Sequence, residues 1–253
     1  MSNILAIAGR ELRSYFASPI AYAVIGLFAL VFGFMFYAYT QMFVRQSQQF
    51  AAMGGPLSVN QNVIRPLFVQ ISIIVLFVLP MITMRTYAEE KRSGTIELLL
   101  TSPLTDLQII LGKFLGAMGL YASMLLITLL PISLLFWYGD PDWRPVVTAY
   151  LGLLLVGGAF ISIGLAISSL TKNQIVAGVF TFCALLMLLL VSWLQDSMGP
   201  VGRAILSAVT IFEHFDDFSK GVLDTTHLVY YASVITFGLF LTAKAVDSER
   251  WRG

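Results

Sequence analysis

Long apolar runs separated by short polar segments make up almost the whole chain. Six of the runs come close to or exceed the roughly twenty residues with which a helix crosses a bilayer. None of the six contains Asp, Glu, Lys, Arg or His. They cover residues 20–43, 67–84, 114–137, 146–170, 175–194 and 228–243. The pattern predicts an all-α polytopic membrane protein with six transmembrane helices.

The first nineteen residues show a weaker, amphipathic pattern. Apolar residues recur at helical spacing between positions 4 and 16, and the charged Arg10, Glu11 and Arg13 lie among them. This predicts an interfacial helix over residues 1–19, with Pro19 at the turn into the bilayer. The following apolar run is longer than a signal-peptide core, so we expect the segment to be retained. The alternative is a flank that only sets orientation.

A second segment too short to span lies at residues 196–227. Its apolar stripe suits a position at the membrane surface. His214 and His227 lie near three Asp residues but have no zinc-type spacing, so we expect no metal site. The Gln- and Asn-rich residues 41–65 read instead as an extension of the first span, followed by a turn at 54–56.

The most polar segment lies between the second and third spans, at residues 85–113. It holds four of the fifteen Lys and Arg residues and four of the fourteen Asp and Glu residues. Gly94 permits a reversal, and Thr95 is positioned to cap a short helix over 96–100 that Pro103 ends. Thr105 and Gln108 form the pattern of a capping box at the next long helix. The segment is the expected docking place for a soluble partner.

Residues 90–104 (EKRSGTIELLLTSPL) resemble the coupling-loop signature of type-2 ABC transporter (ABC-2) permeases, and within them the gliding-motility-type permease subunits. Supporting stretches are residues 10–22 (RELRSYFASPIAY), 168–174 (SSLTKNQ), 213–215 (EHF) and 221–224 (GVLD). The likeness covers the chain, which it makes one permease domain over residues 1–253. It implies a cytoplasmic coupling helix within 85–113 and short outer re-entrant helices within 196–227.

The resemblance also implies partners and site residues. A separate cytoplasmic ABC ATPase would dock on the coupling loop, two permease copies or paralogues would pair with two ATPases, and a periplasmic protein is a further candidate. The coupling residues expected are Glu89, Glu90, Arg92, Gly94, Thr95, Ile96, Glu97, Leu98, Leu99 and Pro103, and those of the interfacial helix are Arg10, Glu11 and Arg13.

Composition and missing motifs narrow the function. The chain is 58% hydrophobic and 11% charged, against about 25% charged residues in soluble proteins. The net charge of +1 gives no general attraction to nucleic acid. No phosphate-binding glycine loop is present, and Gly112-Lys113 lacks the preceding loop glycine. We therefore expect no enzyme activity and no cofactor, with ATP and Mg²⁺ bound by the partner. Cys183, the one cysteine, reads as a small buried hydrophobe.

The loop charges predict an orientation. With the N-terminus in the cytoplasm, ten of the fifteen Lys and Arg residues fall in cytoplasmic segments, as the positive-inside rule requires. We expect a multi-pass protein of the cell inner membrane with both termini cytoplasmic. Small residues spaced by four, Gly112 with Gly116 and Gly164 with Ser168, predict close helix contacts.

The function predicted is an ATP-driven ABC permease, with export the expected direction. Two other classes remain open. A non-transporting subunit of gliding or cofactor-maturation type would transmit ATPase work to periplasmic machinery. A secondary carrier is disfavoured by the charge-free spans, because ion-coupled carriers keep ionisable groups at membrane depth.

Overall fold

The computed structural model describes residues 2–51, 57–96, 104–194, 198–199, 202, 206 and 210–250. In this part the chain is helical and contains no strand. The helices are α1 (Ser2–Ala17), α2 (Pro19–Ala51), α3 (Arg65–Thr83), which continues a π-helical turn (Asn60–Ile64), α4 (Ala88–Ser93), α5 (Asp106–Tyr138), α6 (Trp143–Ser168), α7 (Gln174–Leu194), α8 (Ile211–Ser219) and α9 (Thr225–Arg250).

Six of the described helices are long and apolar enough to cross a membrane: α2, α3, α5, α6, α7 and α9. The six predicted spans and the all-α class are confirmed. The predicted break at Pro19 is also confirmed, since α1 ends at Ala17 and α2 begins at the proline. The first span extends to Ala51 as expected. Its predicted turn at 54–56 lies outside the described residues.

The centre of the bundle is formed by α3 and α6, which are the most buried spans, whereas α2, α7 and α9 leave most of their surface exposed. Close packing at the centre depends on small residues. A Cβ added at Gly164 would collide with the side chain of Thr83 on α3. The predicted close contact at this small-residue pair is confirmed, and α6 approaches α3 through it.

The bundle has two distinct ends. The elbow, which we define as residues 84–96, lies with α1 at one end, called the elbow end. At the opposite end Asn60 exchanges two 2.9 Å hydrogen bonds with the backbone of Asp142. There α8 buries Ile211, Phe215 and Phe218 against the bundle, so the predicted apolar stripe faces protein. Most of residues 196–209, where another short helix was expected, lies outside the described part.

The reading of Cys183 as a buried residue is wrong for the single chain, in which its side chain is exposed on α7. In a membrane protein an apolar run indicates an apolar environment, and lipid provides one as well as the protein interior does. Trp137, Tyr138, Trp143 and Trp193 are exposed too, which is compatible with an aromatic belt.

Candidate coupling site at the elbow

The elbow begins where α3 stops at Thr83 and turns through residues 84–87 into α4. The short helix α4 carries Glu89 and Glu90 in its first turn and Lys91 and Arg92 in its last, which complements the helix dipole at both ends. Gly94 ends it with φ of 73°, the left-handed conformation that glycine adopts readily after a helix. The predicted reversal at Gly94 is confirmed.

Ser168, the last residue of α6, holds the turn of the elbow. Its hydroxyl donates to the carbonyl of Met84 at 3.1 Å and accepts from the backbone N–H groups of Tyr87 and Ala88, each at 3.2 Å. These groups lose helical partners where α3 ends, and buried backbone groups need replacements. One hydroxyl therefore ties the elbow to the central helix α6. The sequence marked Ser168 as a small residue and as the first residue of a stretch that resembles the family, and it did not predict these hydrogen bonds.

Helix α1 packs directly on the first turns of α5. A Cβ added at Gly112 would come within 2.5 Å of Ile7, and one at Gly116 within 2.6 Å of the Cβ of Glu11. The predicted contact at Gly112 and Gly116 is confirmed, with α1 as the partner. The backbone of α1 is therefore packed directly against a span.

Lys113 lies between these elements and is the residue that the sequence reading missed. Its side chain is 1% exposed. The ammonium donates to Glu11 Oε1 at 3.2 Å, to Glu90 Oε1 at 2.6 Å and to the carbonyl of Thr86 at 3.1 Å, and it lies 5.1 Å from the ring centroid of Tyr87. Its three donors match three acceptors, as a buried ammonium requires.

The geometry makes Lys113 a junction of three segments, since Glu11 belongs to α1, Glu90 to α4 and Lys113 to α5. We call these three side chains the Lys113 junction. The sequence placed Lys113 only among the basic residues of the predicted cytoplasmic segments. It also showed that Gly112-Lys113 is not part of a nucleotide-binding loop. No spacing rule relates three residues that lie this far apart in the chain.

A second link joins α1 to the elbow. The hydroxyl of Tyr15 lies 3.2 Å from that of Thr86, and the Arg85 guanidinium lies 4.9 Å from the centroid of the Tyr15 ring. Burial raises the pKa of Tyr15 to about 12. The phenol therefore stays neutral and acts here as a hydrogen-bonding and packing group.

A cavity of 520 Å³, lined mostly by polar and charged residues, opens beside the junction. Its lining combines residues of α1, the elbow and the start of the next segment: Arg10, Glu11, Ser14, Tyr15, Arg85, Thr86, Glu89, Glu90, Thr95 and Leu104. Predicted residues from two separate stretches thus meet at one site. Arg13 and Arg92 are exposed instead, and Ile96 is buried.

The far side of the elbow is only partly described. The Thr95 hydroxyl contacts that of Ser93 at 2.9 Å and the carbonyl of Glu90 at 3.5 Å. Glu97, Leu98, Leu99 and Pro103, with most of the predicted helix at 96–100, lie outside the described residues. The predicted capping box is confirmed, because Thr105 and Gln108 bond each other's backbone N–H.

Charged residues also meet at the opposite end. Asp216 of α8 pairs with Arg65 at 2.8 Å and with Lys220 at 2.7 Å. Burial opposes ionisation of Asp216, but the hydrogen bonds from Lys220 and Arg65 outweigh it and lower the pKa of the carboxyl. His227 lies 3.0 Å from Asp217. Among the described residues no three His, Cys, Asp or Glu side chains are grouped as a metal site would need.

Comparison with known proteins extends these observations. Residues 56–242 match the family described as ABC-2 family transporter protein. The probable multidrug ABC transporter permease YbhR of Escherichia coli K12 is 32% identical over 146 residues, which are 56% of this chain and 38% of that protein. The same values hold for YbhR of E. coli O157:H7. The chain thus spans well under half the length of these relatives. Since the family match covers well over half of the chain, which folds as a six-span helical bundle, the chain belongs to the ABC-2 family of transporter proteins.

Proposed function

We propose that this protein is the permease subunit of an ATP-driven ABC transporter and that a separate cytoplasmic ATPase docks on its elbow end. The observation that carries the proposal is the Lys113 junction, which joins Glu11 of α1, Glu90 of α4 and the start of α5 at one buried ammonium. A segment that only connected two spans would need no such cross-links.

The contacts define a route for force. A displacement of α4 acts on α1 and α5 through the Lys113 junction and on α6 through the Ser168 hydroxyl. Because α3 and α6 are the most buried spans, their movement repacks the whole bundle. Packed interiors deform little and instead shift between discrete arrangements. ATP-driven closure of the ATPase pair would supply the displacement.

The orientation proposed places the elbow end in the cytoplasm. The elbow and α1 carry Arg10, Arg13, Arg85 and Arg92 there, and an excess of positive charge is typical of cytoplasmic segments. The protein would then lie in the cell inner membrane with both termini in the cytoplasm. ATP and Mg²⁺ would bind on the partner, since the chain has no phosphate-binding loop. Two permease copies would assemble with two ATPases.

Export is the direction we propose, and the multidrug role in the name of YbhR belongs to that relative. A second candidate is a gliding-type or cofactor-maturation-type subunit that transmits ATPase work to a periplasmic protein. The length of α2 favours it. Its 33 residues span roughly 50 Å at 1.5 Å per residue, against about 30 Å of hydrocarbon, so the helix reaches beyond the bilayer.

The test is co-purification with ABC ATPase subunits from the same cell. Arg92 is exposed on α4, so Arg92→Glu should weaken capture of the ATPase while the fold stays intact. Arg144→Glu, an exposed arginine at the opposite end, is the matched control. Equal capture by both variants and the unchanged protein would contradict docking at the elbow. Substrate-stimulated ATP hydrolysis in liposomes would then distinguish transport from mechanical transmission.

A further inference from the structure

An apolar groove on the outside of the bundle is not used by the proposed coupling route. It runs between α6 and α9, is closed by Leu188 of α7 and Ile211 of α8, and has a volume of 880 Å³. Ala166, Val234 and Phe237 represent its mostly apolar walls. A groove so lined offers water too few hydrogen-bonding partners to fill it stably.

The polar groups of the groove lie mainly near its ends. Lys244 and Ser248 of α9 lie beside Leu170 of α6 at the elbow end, and Tyr230 lies at the other. Between Tyr230 and Lys244 the helix rises roughly 21 Å at 1.5 Å per residue. One leaflet contributes about 15 Å of hydrocarbon, half of the full core. The groove is therefore long enough for an extended acyl chain that starts at the elbow-side surface.

Lys244 supplies the charge that selects an occupant. It lines the groove and is exposed. Its ammonium lies 5.9 Å from the centroid of the ring of Phe240, one turn earlier on α9. Within the part of the chain that the structure describes, no carboxylate lies within ion-pairing distance of it. A cation at the mouth of an apolar cleft between membrane helices matches a lipid with an anionic headgroup.

A second copy of the chain fits the same surface less well. Docking two α9 faces would bring a Lys244 from each copy into an apolar contact, and burying an unpaired ammonium is costly. A lipid phosphate at the membrane surface instead neutralises the lysine and leaves it partly hydrated. Charge and length together favour lipid.

We propose that the groove between α6 and α9 binds an anionic phospholipid, with an acyl chain along α9 and the phosphate at Lys244. The proposal goes beyond the permease assignment and does not depend on an ATPase. It makes the elbow-side leaflet a source of a structural lipid that packs against the central helix α6.

The test is native mass spectrometry of the protein released from nanodiscs of phosphatidylcholine with one fifth phosphatidylglycerol. The unchanged protein should retain phosphatidylglycerol in preference to phosphatidylcholine. Lys244→Gln should lower that occupancy about fivefold, the factor typical of removing one lysine at an anionic membrane surface. Arg144→Gln, which removes an exposed arginine at the opposite end, should leave it unchanged.

Two further measurements address the alternatives. Ser233→Phe places a ring in the groove and should lower occupancy with Lys244 intact, whereas excess glycerol phosphate should displace nothing, since the acyl chain supplies binding. Equal retention of both lipids, an unaltered Lys244→Gln variant, or displacement by glycerol phosphate would overturn the proposal. So would a spontaneous disulfide between two copies that carry Phe237→Cys on a Cys183→Ala background, since a second copy would then cover the groove.

Discussion

Replacing Lys113 with methionine tests the junction directly. Methionine is unbranched and only one atom shorter than lysine, so the change removes the charge with a small change in packing. It leaves the carboxylates of Glu11 and Glu90 facing each other and the carbonyl of Thr86 without its donor. Both carboxylates were held by the same ammonium, so their mutual repulsion is no longer offset.

The magnitude follows from burial. Breaking a buried ion pair by removing one partner costs about 3–5 kcal/mol. Lys113 is 1% exposed, but Glu11 and Glu90 retain 14% and 21% exposure, so water partly compensates them. We expect a loss of roughly 2–3 kcal/mol in the free energy of unfolding, at or just below the lower end of that range. ATP-driven coupling should fall as well, because α4 loses its tie to α1 and α5.

The assay is a double-mutant cycle with Lys113→Met, Glu90→Gln and the pair together, followed by thermal unfolding in detergent and by ATPase stimulation. Neutralising Glu90 should rescue part of the loss, so the pair should be less destabilised than the sum of the single variants by about 0.5–3 kcal/mol. Additivity within about 0.5 kcal/mol would refute the argument, since distant, independent residues behave that way.

Four other outcomes are expected. On a Cys183→Ala background, a cysteine replacing Gln48 should react with an impermeant maleimide in intact cells and one replacing Ser93 should not; the reverse labelling would invert the proposed orientation. Gly94→Val should abolish ATPase capture without loss of membrane insertion, because a β-branched residue tolerates φ of 73° poorly; normal capture would count against a fixed reversal. The purified chain alone should show no ATP binding by calorimetry, and measurable binding would reveal an unrecognised site. Acid should destabilise the opposite end, because the pKa of Asp216 is lower in the folded protein than in the unfolded chain. The stability that this carboxyl contributes is present above its unfolded-state pKa and is lost as the pH falls through its folded-state pKa. Asp216→Asn should therefore flatten the acid limb of a plot of stability against pH, and an unchanged limb would contradict the ion pairs.

The sequence by itself determined the secondary structure and the number of spans. A bilayer leaves backbone groups no partner except each other, so a charge-free run of about twenty residues is almost always a helix. Local chemistry was equally readable: the helix start at Pro19, the reversal at Gly94 and the capping box at Thr105 involve residues at most three apart. Each depends on backbone geometry that neighbouring residues set.

Only the tertiary structure decided which residues meet at the elbow. Lys113 resembled an ordinary membrane-flanking lysine until the packing of α1 on Gly112 and Gly116 brought Glu11 and Glu90 to it. Burial of Cys183 failed as a prediction for a related reason, since hydropathy does not distinguish lipid from protein. Contacts between distant segments depend on how helices pack in three dimensions, and a membrane makes most of their outward faces chemically alike. Local pattern therefore specified the helices, and packing alone determined their partners.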